Sequence, residues 1–207
     1  MNHENERLYL YPVWIRIWHI FNALLCLALM GSGLSLQFSN PSTIVKFNAA
    51  VSVHNISGIA LAISYSVFFI GNLFTLNGVY YLIEVKGFFS RLIRQFRYYT
   101  FGLFKRETPP FPVTADNKFN PLQQFSYVML MYIFVPIVIL TGLGLLYPEV
   151  TVNSVMGASG LELTDLLHIT AGFLITLFMC IHVYFCTIGK TAVSNFKSMI
   201  NGYHEAH

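Results

Sequence analysis

The sequence predicts an all-α membrane protein, a bundle of four transmembrane helices with a cytoplasmic amphipathic helix between the second and the third. Two observations predict this fold class. The 207 residues are 55% hydrophobic, and only 10% are Asp, Glu, Lys or Arg, whereas a soluble domain carries about 25% charged residues. Four apolar runs are also long enough to cross a bilayer, which takes about 20 helical residues. With so few charges to coat a water-facing exterior, the chain is expected in lipid.

Residues 1–207 are interpreted as a single membrane domain, and its four spans cover approximately residues 13–36, 49–74, 125–147 and 163–188. The first run is expected to be a retained span rather than a cleaved signal peptide. Its leader, HENER, is acidic, and the run is too long for the apolar region of a signal. The three cysteines lie inside spans and form no CxxC pair, which argues against a zinc site or a disulfide scaffold; they are Cys26, Cys180 and Cys186.

The basic residues predict the orientation of the spans. Eleven of the 12 Lys and Arg residues lie at the start of span one, between spans two and three, or after span four, and only Lys46 lies on the other side. By the positive-inside rule, both termini and the long middle loop are cytoplasmic. The eleven are Arg7, Arg16, Lys86, Arg91, Arg94, Arg97, Lys105, Arg106, Lys118, Lys190 and Lys197.

The middle loop contains the stretch EVKGFFSRLIRQFRYYTF, whose apolar residues recur at helical spacing beside a polar, mostly basic stripe. We favour a helix that lies on the membrane surface, stabilised by apolar burial and anionic headgroups, because basic interfacial helices are common. The alternative is a docking face for a cytoplasmic or membrane-associated partner. The following TPPFP is expected to end the helix. The apolar residues are Val85, Phe89, Leu92, Phe96 and Tyr99; the polar ones are Lys86, Ser90, Arg94 and Arg97.

Histidines are the residues that point to chemistry. Three of the seven (His3, His204 and His207) lie in the terminal tails and are expected to be solvated. The other four lie inside the spans, two near each membrane face. In the predicted orientation the cytoplasmic pair is His19 and His182, and the outer pair is His54 and His168.

Span four carries one histidine of each pair. His168 and His182 are fourteen residues apart, which is about 40° short of whole helical turns and about 21 Å along the axis. They therefore project from the same side of one helix. That helix can offer an axial ligand to each of two stacked sites, which His54 and His19 can complete.

Two neutral imidazoles that face each other suit a haem iron with both axial positions filled, whose natural work is electron transfer. A single histidine in a span can instead be a residue that hydrogen-bonds between helices. Four at matched depths, two of them in phase on one helix, favour haem, because ionisable residues inside a membrane are costly and usually functional.

Small residues near the histidines are consistent with a flat porphyrin. Gly58 and Gly172 each follow a predicted ligand by one turn, and Thr164, one turn before His168, could accept a hydrogen bond from its ring N–H. Span three has no histidine, so its small residues and its proline are expected to serve packing and a kink; they are Gly142, Gly144 and Pro136.

Four segments together resemble the cytochrome b subunits of formate dehydrogenase, thiosulfate reductase and nickel–iron hydrogenase: RIWHIFNA, VSVHNISG, KFNPLQQ and the two span-four histidines. The resemblance covers nearly the whole chain. It implies a bacterial inner-membrane domain with two haems b, the outer one bound by His54 and His168 and the inner one by His19 and His182. It also implies electron exchange between quinone and an iron–sulfur subunit attached to a molybdenum, tungsten or nickel–iron catalytic subunit, and no nucleic-acid partner.

The sequence contains no cysteine cluster for iron–sulfur binding and no evident molybdenum or nickel site, so substrate chemistry is expected in another polypeptide. Quinone exchange is expected at the cytoplasmic end beside the inner haem, where KFNPLQQ offers Lys118, Asn120 and Gln123, and the resemblance points to the same segment. Asn120 and Pro121 could instead simply begin span three, because Asn is a favoured N-cap and Pro a favoured first residue. Leu122 replaces a glycine of the formate dehydrogenase relatives, which favours the thiosulfate reductase side.

Two other functions remain open from the sequence. A stand-alone cytochrome b that oxidises superoxide and reduces quinone would need a positively charged outer surface, for which only Lys46 is available. A non-redox membrane scaffold would leave four costly histidines unexplained. A visible spectrum separates the scaffold from a cytochrome, and co-purifying subunits separate an electron-transfer subunit from a stand-alone enzyme.

Overall fold

The computed structural model describes residues 7–38, 46–115, 117–189 and 191–205. This part of the chain contains four helices long and apolar enough to cross a membrane: α1 (Val13–Gln37), α2 (Phe47–Phe74), a third span (Pro121–Leu146) and α6 (Gly160–Cys186). The predicted all-α membrane fold with four spans is therefore confirmed, and each observed bound lies within four residues of its prediction.

The third span is built from three consecutive pieces. They are α4 (Pro121–Met129), a π-helical turn (Leu130–Phe134) and α5 (Val135–Leu146). Pro136 lies in the first turn of α5, and proline removes a helical hydrogen bond and crowds the preceding turn. The π turn directly before it is a known way for a helix to absorb such an irregularity.

The third span begins four residues earlier than its hydropathy predicts, because side chains cap it. Asn120 Oδ1 accepts from the Gln123 backbone N–H at 3.0 Å, and Gln123 Oε1 accepts from the Asn120 backbone N–H at 3.2 Å. Pro121 occupies the first helical position, where its missing N–H costs nothing. The interpretation of Asn120 as an N-cap is confirmed.

The predicted amphipathic helix is α3 (Phe88–Arg97), which continues as a π-helical turn to Gly102. It begins later than the apolar pattern indicates, because Gly87 adopts a left-handed φ of 70° and separates Val85 and Lys86 from the helix. Phe88 packs against Phe125 of α4, with ring centroids 5.7 Å apart. The helix ends before the prolines, as predicted.

One face of α3 remains free of packing against the described chain. Phe89, Ile93 and Phe96, spaced at helical intervals along it, are all exposed. An apolar helical face of this kind fits burial at the membrane surface, which is the interpretation we favour. The docking of a partner protein on the same face stays an alternative.

Two short strands, which the sequence did not predict, connect the flanks of the spans. β1 (Arg7–Tyr9) pairs antiparallel with β4 (Tyr203–Glu205), and the rings of Tyr9 and Tyr203 lie 5.2 Å apart. Between α6 and β4, α7 (Ser194–Asn201) ends at Gly202, whose φ of 88° suits glycine. His204 thus lies in a strand opposite Leu8 rather than in a solvated tail, while His3, His207 and Lys190 lie outside the described residues.

A second hairpin precedes α6. β2 (Ser154–Val155) pairs with β3 (Ala158–Ser159) across a turn in which Met156 and Gly157 both have positive φ. The backbone N–H of Gly160 then donates to the Asn153 carbonyl at 3.1 Å. Helix α6 begins directly after this hairpin, at Gly160, which explains why span four starts three residues earlier than predicted.

The described residues form two compact units. One, here called the histidine unit, comprises Ile17–Phe69 and Tyr132–Val183 and contains parts of all four spans. The other, here called the loop unit, comprises the chain up to Arg16, Ile70–Met131 and the chain from Tyr184 onward, and contains α3 and α4. The interpretation of the chain as a single domain stays a prediction.

Candidate haem-binding site

The histidine unit brings the four intramembrane histidines together in the two predicted pairs. The ring centroids of His19 and His182 lie 6.1 Å apart, and so do those of His54 and His168. No described group of three or more His, Cys, Asp or Glu side chains could hold a metal ion. Each pair is therefore a two-ligand set, which suits a metal whose other ligands come from a macrocycle.

The spacing within each pair is close to what two imidazoles on one haem iron would need. Metal–imidazole nitrogen bonds are about 2.0–2.1 Å long, and a ring nitrogen lies about 1.2 Å from its ring centroid, so two such rings facing one metal would have centroids about 6.4–6.6 Å apart. The observed 6.1 Å is shorter than this by about 0.3–0.5 Å for both pairs, so a small outward movement of the rings would admit the metal. A Cβ added at Gly58 or Gly172 would meet nothing within 4 Å, so neither glycine is packed against a described side chain.

The RIWHIFNA motif explains how α1 presents His19. Trp18 stacks on the fully buried Phe68 of α2 with ring centroids 4.4 Å apart, and its Nε1–H donates to the Ser64 carbonyl at 2.9 Å. Asn22 Nδ2 donates to Ser64 Oγ at 2.7 Å. These contacts on either side of His19 set the rotation of α1 against α2.

His182 is supported from its own helix. The Phe178 ring, one turn earlier in α6, lies nearly parallel to the His182 ring, with centroids 5.7 Å apart and an angle of 10° between the planes. The flat stack limits rotation of the imidazole about its side-chain bonds. The pair formed by His19 and His182 is thus oriented by aromatic packing on both of its helices.

His54 is oriented by a hydroxyl group from α1. Ser32 Oγ lies 3.0 Å from His54 Nδ1, and the same hydroxyl donates to the Ala28 carbonyl at 2.6 Å. The neighbouring Gly33 faces the ring, since a Cβ added there would lie 3.4 Å from His54 Cε1. Ser32 and Gly33 together hold the ring edge of His54.

His168 is oriented in the same way by α5. Thr141 Oγ1 lies 3.0 Å from His168 Nδ1 and donates to the Ile137 carbonyl at 2.6 Å. A Cβ added at Gly142 would lie 3.0 Å from His168 Cε1. Gly142 therefore serves close packing, as predicted, and the group that packs against it is the ring of a candidate ligand.

Thr164, the predicted hydrogen-bond acceptor for His168, has another partner. Its hydroxyl donates to the Gly160 carbonyl one turn earlier in α6, at 2.8 Å. The hydroxyl that lies beside His168 Nδ1 belongs to Thr141 instead. Gly144 does serve packing, as predicted: a Cβ there would lie 3.1 Å from Thr151 Cγ2 and 3.3 Å from Thr164 Cγ2.

Comparison with known proteins agrees with these features. The family model described as prokaryotic cytochrome b561 matches residues 10–202. The chain belongs to this family. It is also 40% identical, over 202 residues, to the Escherichia coli K12 protein named "Putative cytochrome YdhU", an alignment that covers 97% of this chain and 76% of that protein. The resemblance to membrane cytochromes b is confirmed, and the chain is a multi-pass bacterial membrane protein that binds haem b and transfers electrons.

Two polar residues of this cytochrome b561-family protein escaped the sequence analysis, namely Ser32 and Thr141. Both carry a signal that could have found them. Each is followed directly by a glycine, in the dipeptides Ser32–Gly33 and Thr141–Gly142, within an otherwise apolar span. A hydroxyl beside a glycine lets another helix approach closely and offers it a hydrogen-bond partner.

The predicted quinone residues of the cytochrome lie in the loop unit, around the start of α4. Asn120 Nδ2 donates to the Tyr99 hydroxyl at 2.8 Å, and the Tyr99 ring lies 4.6 Å from that of Phe185. The Gln123 side chain is engaged in the cap of α4. Asn120 and Gln123 therefore both lie at the start of α4, and the side chain of each already forms hydrogen bonds within the loop unit.

Lys118 is the third predicted residue, and it is only 4% exposed. Its Nζ lies 3.4 Å from Asn77 Oδ1 and within 6 Å of three aromatic ring centroids. Burial lowers the pKa of Lys118 to about 8, while the electron-rich faces of the rings favour the ammonium form. The rings belong to Tyr11, Tyr80 and Phe119.

Proposed function

We propose that this cytochrome is the membrane-anchoring di-haem b subunit of a respiratory oxidoreductase complex, which passes electrons between quinone and an iron–sulfur partner. The two histidine pairs, each with ring centroids 6.1 Å apart, carry this proposal. In it, His54 and His168 bind the outer haem, and His19 and His182 bind the inner one. A haem held by such a pair of histidines would supply one-electron transfer.

The chain's own contribution is to fix where the two haems lie and how their ligands are turned. Since α6 carries one ligand of each pair, its length sets an axial offset of about 21 Å between His168 and His182. Trp18, Phe178, Ser32 and Thr141 orient the four rings. Ligands held in this way need little rearrangement when iron changes its charge, which favours rapid electron transfer.

Quinone exchange is proposed at the cytoplasmic end of the third span, with Lys118, Asn120 and Gln123 supplying polar groups for the quinone carbonyls. The support is their position where the loop re-enters the membrane, together with the buried ammonium of Lys118. A group with a pKa of about 8 is mostly protonated at pH 7 and can also release its proton. Reduction of a quinone to a quinol takes up protons, which such a group can relay.

The partners proposed are an iron–sulfur subunit and a catalytic subunit that carries molybdenum, tungsten or nickel–iron. The chain has only three cysteines, which lie in α1 and α6, so it does not itself provide the four thiolates of an iron–sulfur cluster. The path beyond the haems therefore needs a second polypeptide. Extraction of the cytochrome in a mild detergent tests this directly.

We expect two haems b per chain in the extract, together with a cysteine-rich iron–sulfur protein and a large catalytic subunit identified by mass spectrometry. A di-haem protein that purifies alone and reduces quinone with superoxide would favour the stand-alone cytochrome b instead. A purified protein with no stoichiometric haem would contradict both functions.

The proposed orientation places both termini and the loop between α2 and α4 in the cytoplasm. This follows because eleven of the 12 basic residues lie on one side. A fluorescent protein that folds only in the cytoplasm should be active when fused after Gly78 or after His207. A phosphatase that is active only outside the cytoplasm should be active when fused near Gly157. Each site is tested with both reporters, which serve as each other's control. Phosphatase activity at Gly78 would invert the orientation and exchange the inner and outer haems.

A further inference from the structure

We propose that Ser32 and Thr141 are positioning residues that hold the outer histidine pair in one tautomer and thereby lower the midpoint potential of the outer haem. The inference rests on the proposed binding of haem by His54 and His168. It concerns two residues whose hydroxyl oxygens lie 3.0 Å from the histidine Nδ1 atoms and that act through this second nitrogen of each imidazole.

The direction of each hydrogen bond follows from the single proton that a hydroxyl carries. Ser32 Oγ lies 2.6 Å from the Ala28 carbonyl oxygen, and Thr141 Oγ1 lies 2.6 Å from that of Ile137. A carbonyl can only accept, so each hydroxyl proton is committed to its own helix. The hydroxyl oxygen then presents lone pairs to the imidazole.

It follows that Nδ1 carries the proton in both rings. The Nδ1 atoms of His54 and His168 lie 3.0 Å from these hydroxyl oxygens, which is an ordinary length for an N–H···O bond. With Nδ1 protonated in a neutral imidazole, Nε2 holds the free lone pair. The Leu29 carbonyl at His54 and the Val138 carbonyl at His168 also hydrogen-bond these rings, so the hydroxyls act together with backbone acceptors to favour the tautomer in which Nε2 can bind iron.

The same arrangement occurs twice, on different helices. In each case a hydroxyl residue donates to the carbonyl four residues earlier, lies 3.0 Å from a histidine Nδ1, and is followed by a glycine that faces the histidine Cε1. The two copies come from α1 and α5, in the similar stretches SGLSL (32–36) and TGLGL (141–145). Hydroxyls that served only local packing would not share the target atom, the distance and the adjoining glycine.

The effect on the haem follows from the charge on the ligand. An acceptor at Nδ1 makes the imidazole a stronger electron donor through Nε2, which stabilises the more oxidised iron. Loss of the acceptor should therefore raise the midpoint potential. The cytoplasmic pair has a different environment, in which Phe178 stacks on His182, so only the outer haem should respond.

Redox titration of the purified protein, followed by the optical bands of the haem, tests the inference. Thr141→Val removes the hydroxyl and keeps the side-chain shape, Thr141→Ser keeps the hydroxyl, and Ser32→Ala removes the other acceptor. In Thr141→Val and Ser32→Ala we expect one of the two haem components to move to higher potential while the other stays. Thr141→Ser should return that component to the wild-type potential, and retention of the outer haem should weaken by about 10-fold in the variants that lack the hydroxyl.

Matched controls come from hydroxyls that serve only their own helices. Thr170 in α6 and Ser66 in α2 are exposed and donate to Leu166 and Ala62, so Thr170→Val and Ser66→Ala should leave both potentials unchanged. Unchanged potentials in Thr141→Val and Ser32→Ala would overturn the inference, and so would an equal shift in Thr141→Ser.

Loss of the outer haem from a variant is also decisive. If Thr141→Val loses the outer haem and Thr141→Ser retains it, the result supports the role of the hydroxyl. If Thr141→Ser loses the outer haem as well, the result contradicts that role. A wild-type protein without haem would instead contradict the proposed function itself, so the two failures are distinguishable.

Discussion

Replacement of His54 by alanine is expected to halve the haem b content of the purified protein, from two per chain to one. Each haem needs both of its axial histidines to stay bound in a span, and alanine offers no ligand. The haem bound by His19 and His182 should stay, because neither ligand is changed and His182 lies about 21 Å along α6 from His168, in the outer pair. Pyridine haemochrome analysis, normalised to protein, measures the ratio.

His204→Ala provides the control, because His204 lies in β4 outside the spans, and it should keep two haems. His182→Ala should also retain one haem, and its remaining component should have the potential of the outer site. Two haems in His54→Ala would exclude His54 as a ligand. Loss of both haems would contradict the independence of the two sites.

The Asn120→Asp variant is expected to keep both haems and to lose quinone-linked turnover. The carboxylate can only accept hydrogen bonds, so a quinone carbonyl loses its amide donor and meets a second acceptor. A buried polar group without a partner costs about 1–3 kcal/mol, which corresponds to a loss of about 10-fold or more in turnover with a soluble quinol analogue. The measurement is the rate at which this quinol analogue reduces the oxidised haems.

The structure makes this test selective, because aspartate should preserve the local fold. One carboxylate oxygen can accept from the Gln123 N–H as Asn120 Oδ1 does, and Asp is as good an N-cap as Asn. The other oxygen can accept from the Tyr99 hydroxyl, which now lies 2.8 Å from Asn120 Nδ2. Asn117→Asp, the same change at an exposed position of the same loop, is the control. Normal turnover in Asn120→Asp would leave Asn120 as a cap only and place quinone elsewhere.

Features that depend on one helix at a time were predicted well. The apolar runs located α1 and α2 to within two residues, because hydropathy measures directly what lipid selects. The pairing of His54 with His168 and of His19 with His182 followed from depth along each span, which is a one-dimensional property. The start of α4 was missed by four residues because its first turn is polar, and a capping box rather than hydropathy begins it.

Features that depend on how helices face one another were not predictable in the same way. Thr164 seemed a suitable partner for His168 because it is one turn away in the same helix, yet its hydroxyl is used by the Gly160 carbonyl. Thr141 reaches the ring only because α5 turns that side toward α6, and no spacing within α5 reveals this rotation. The pairing of β1 with β4 joins segments from opposite ends of the sequence and leaves no hydropathy signal.

The pairing of β1 with β4 also bears on how the chain enters the membrane. These strands flank the first and last spans, and they can pair only if both have remained on one side of the bilayer. That condition is met when an even number of helices has crossed, and it fails when any single helix has been left out. The small ribbon therefore cannot close on a chain in which one or three helices have crossed, and protection of the Tyr9 and Tyr203 amides from hydrogen exchange would report that both strands lie on the same side of the membrane.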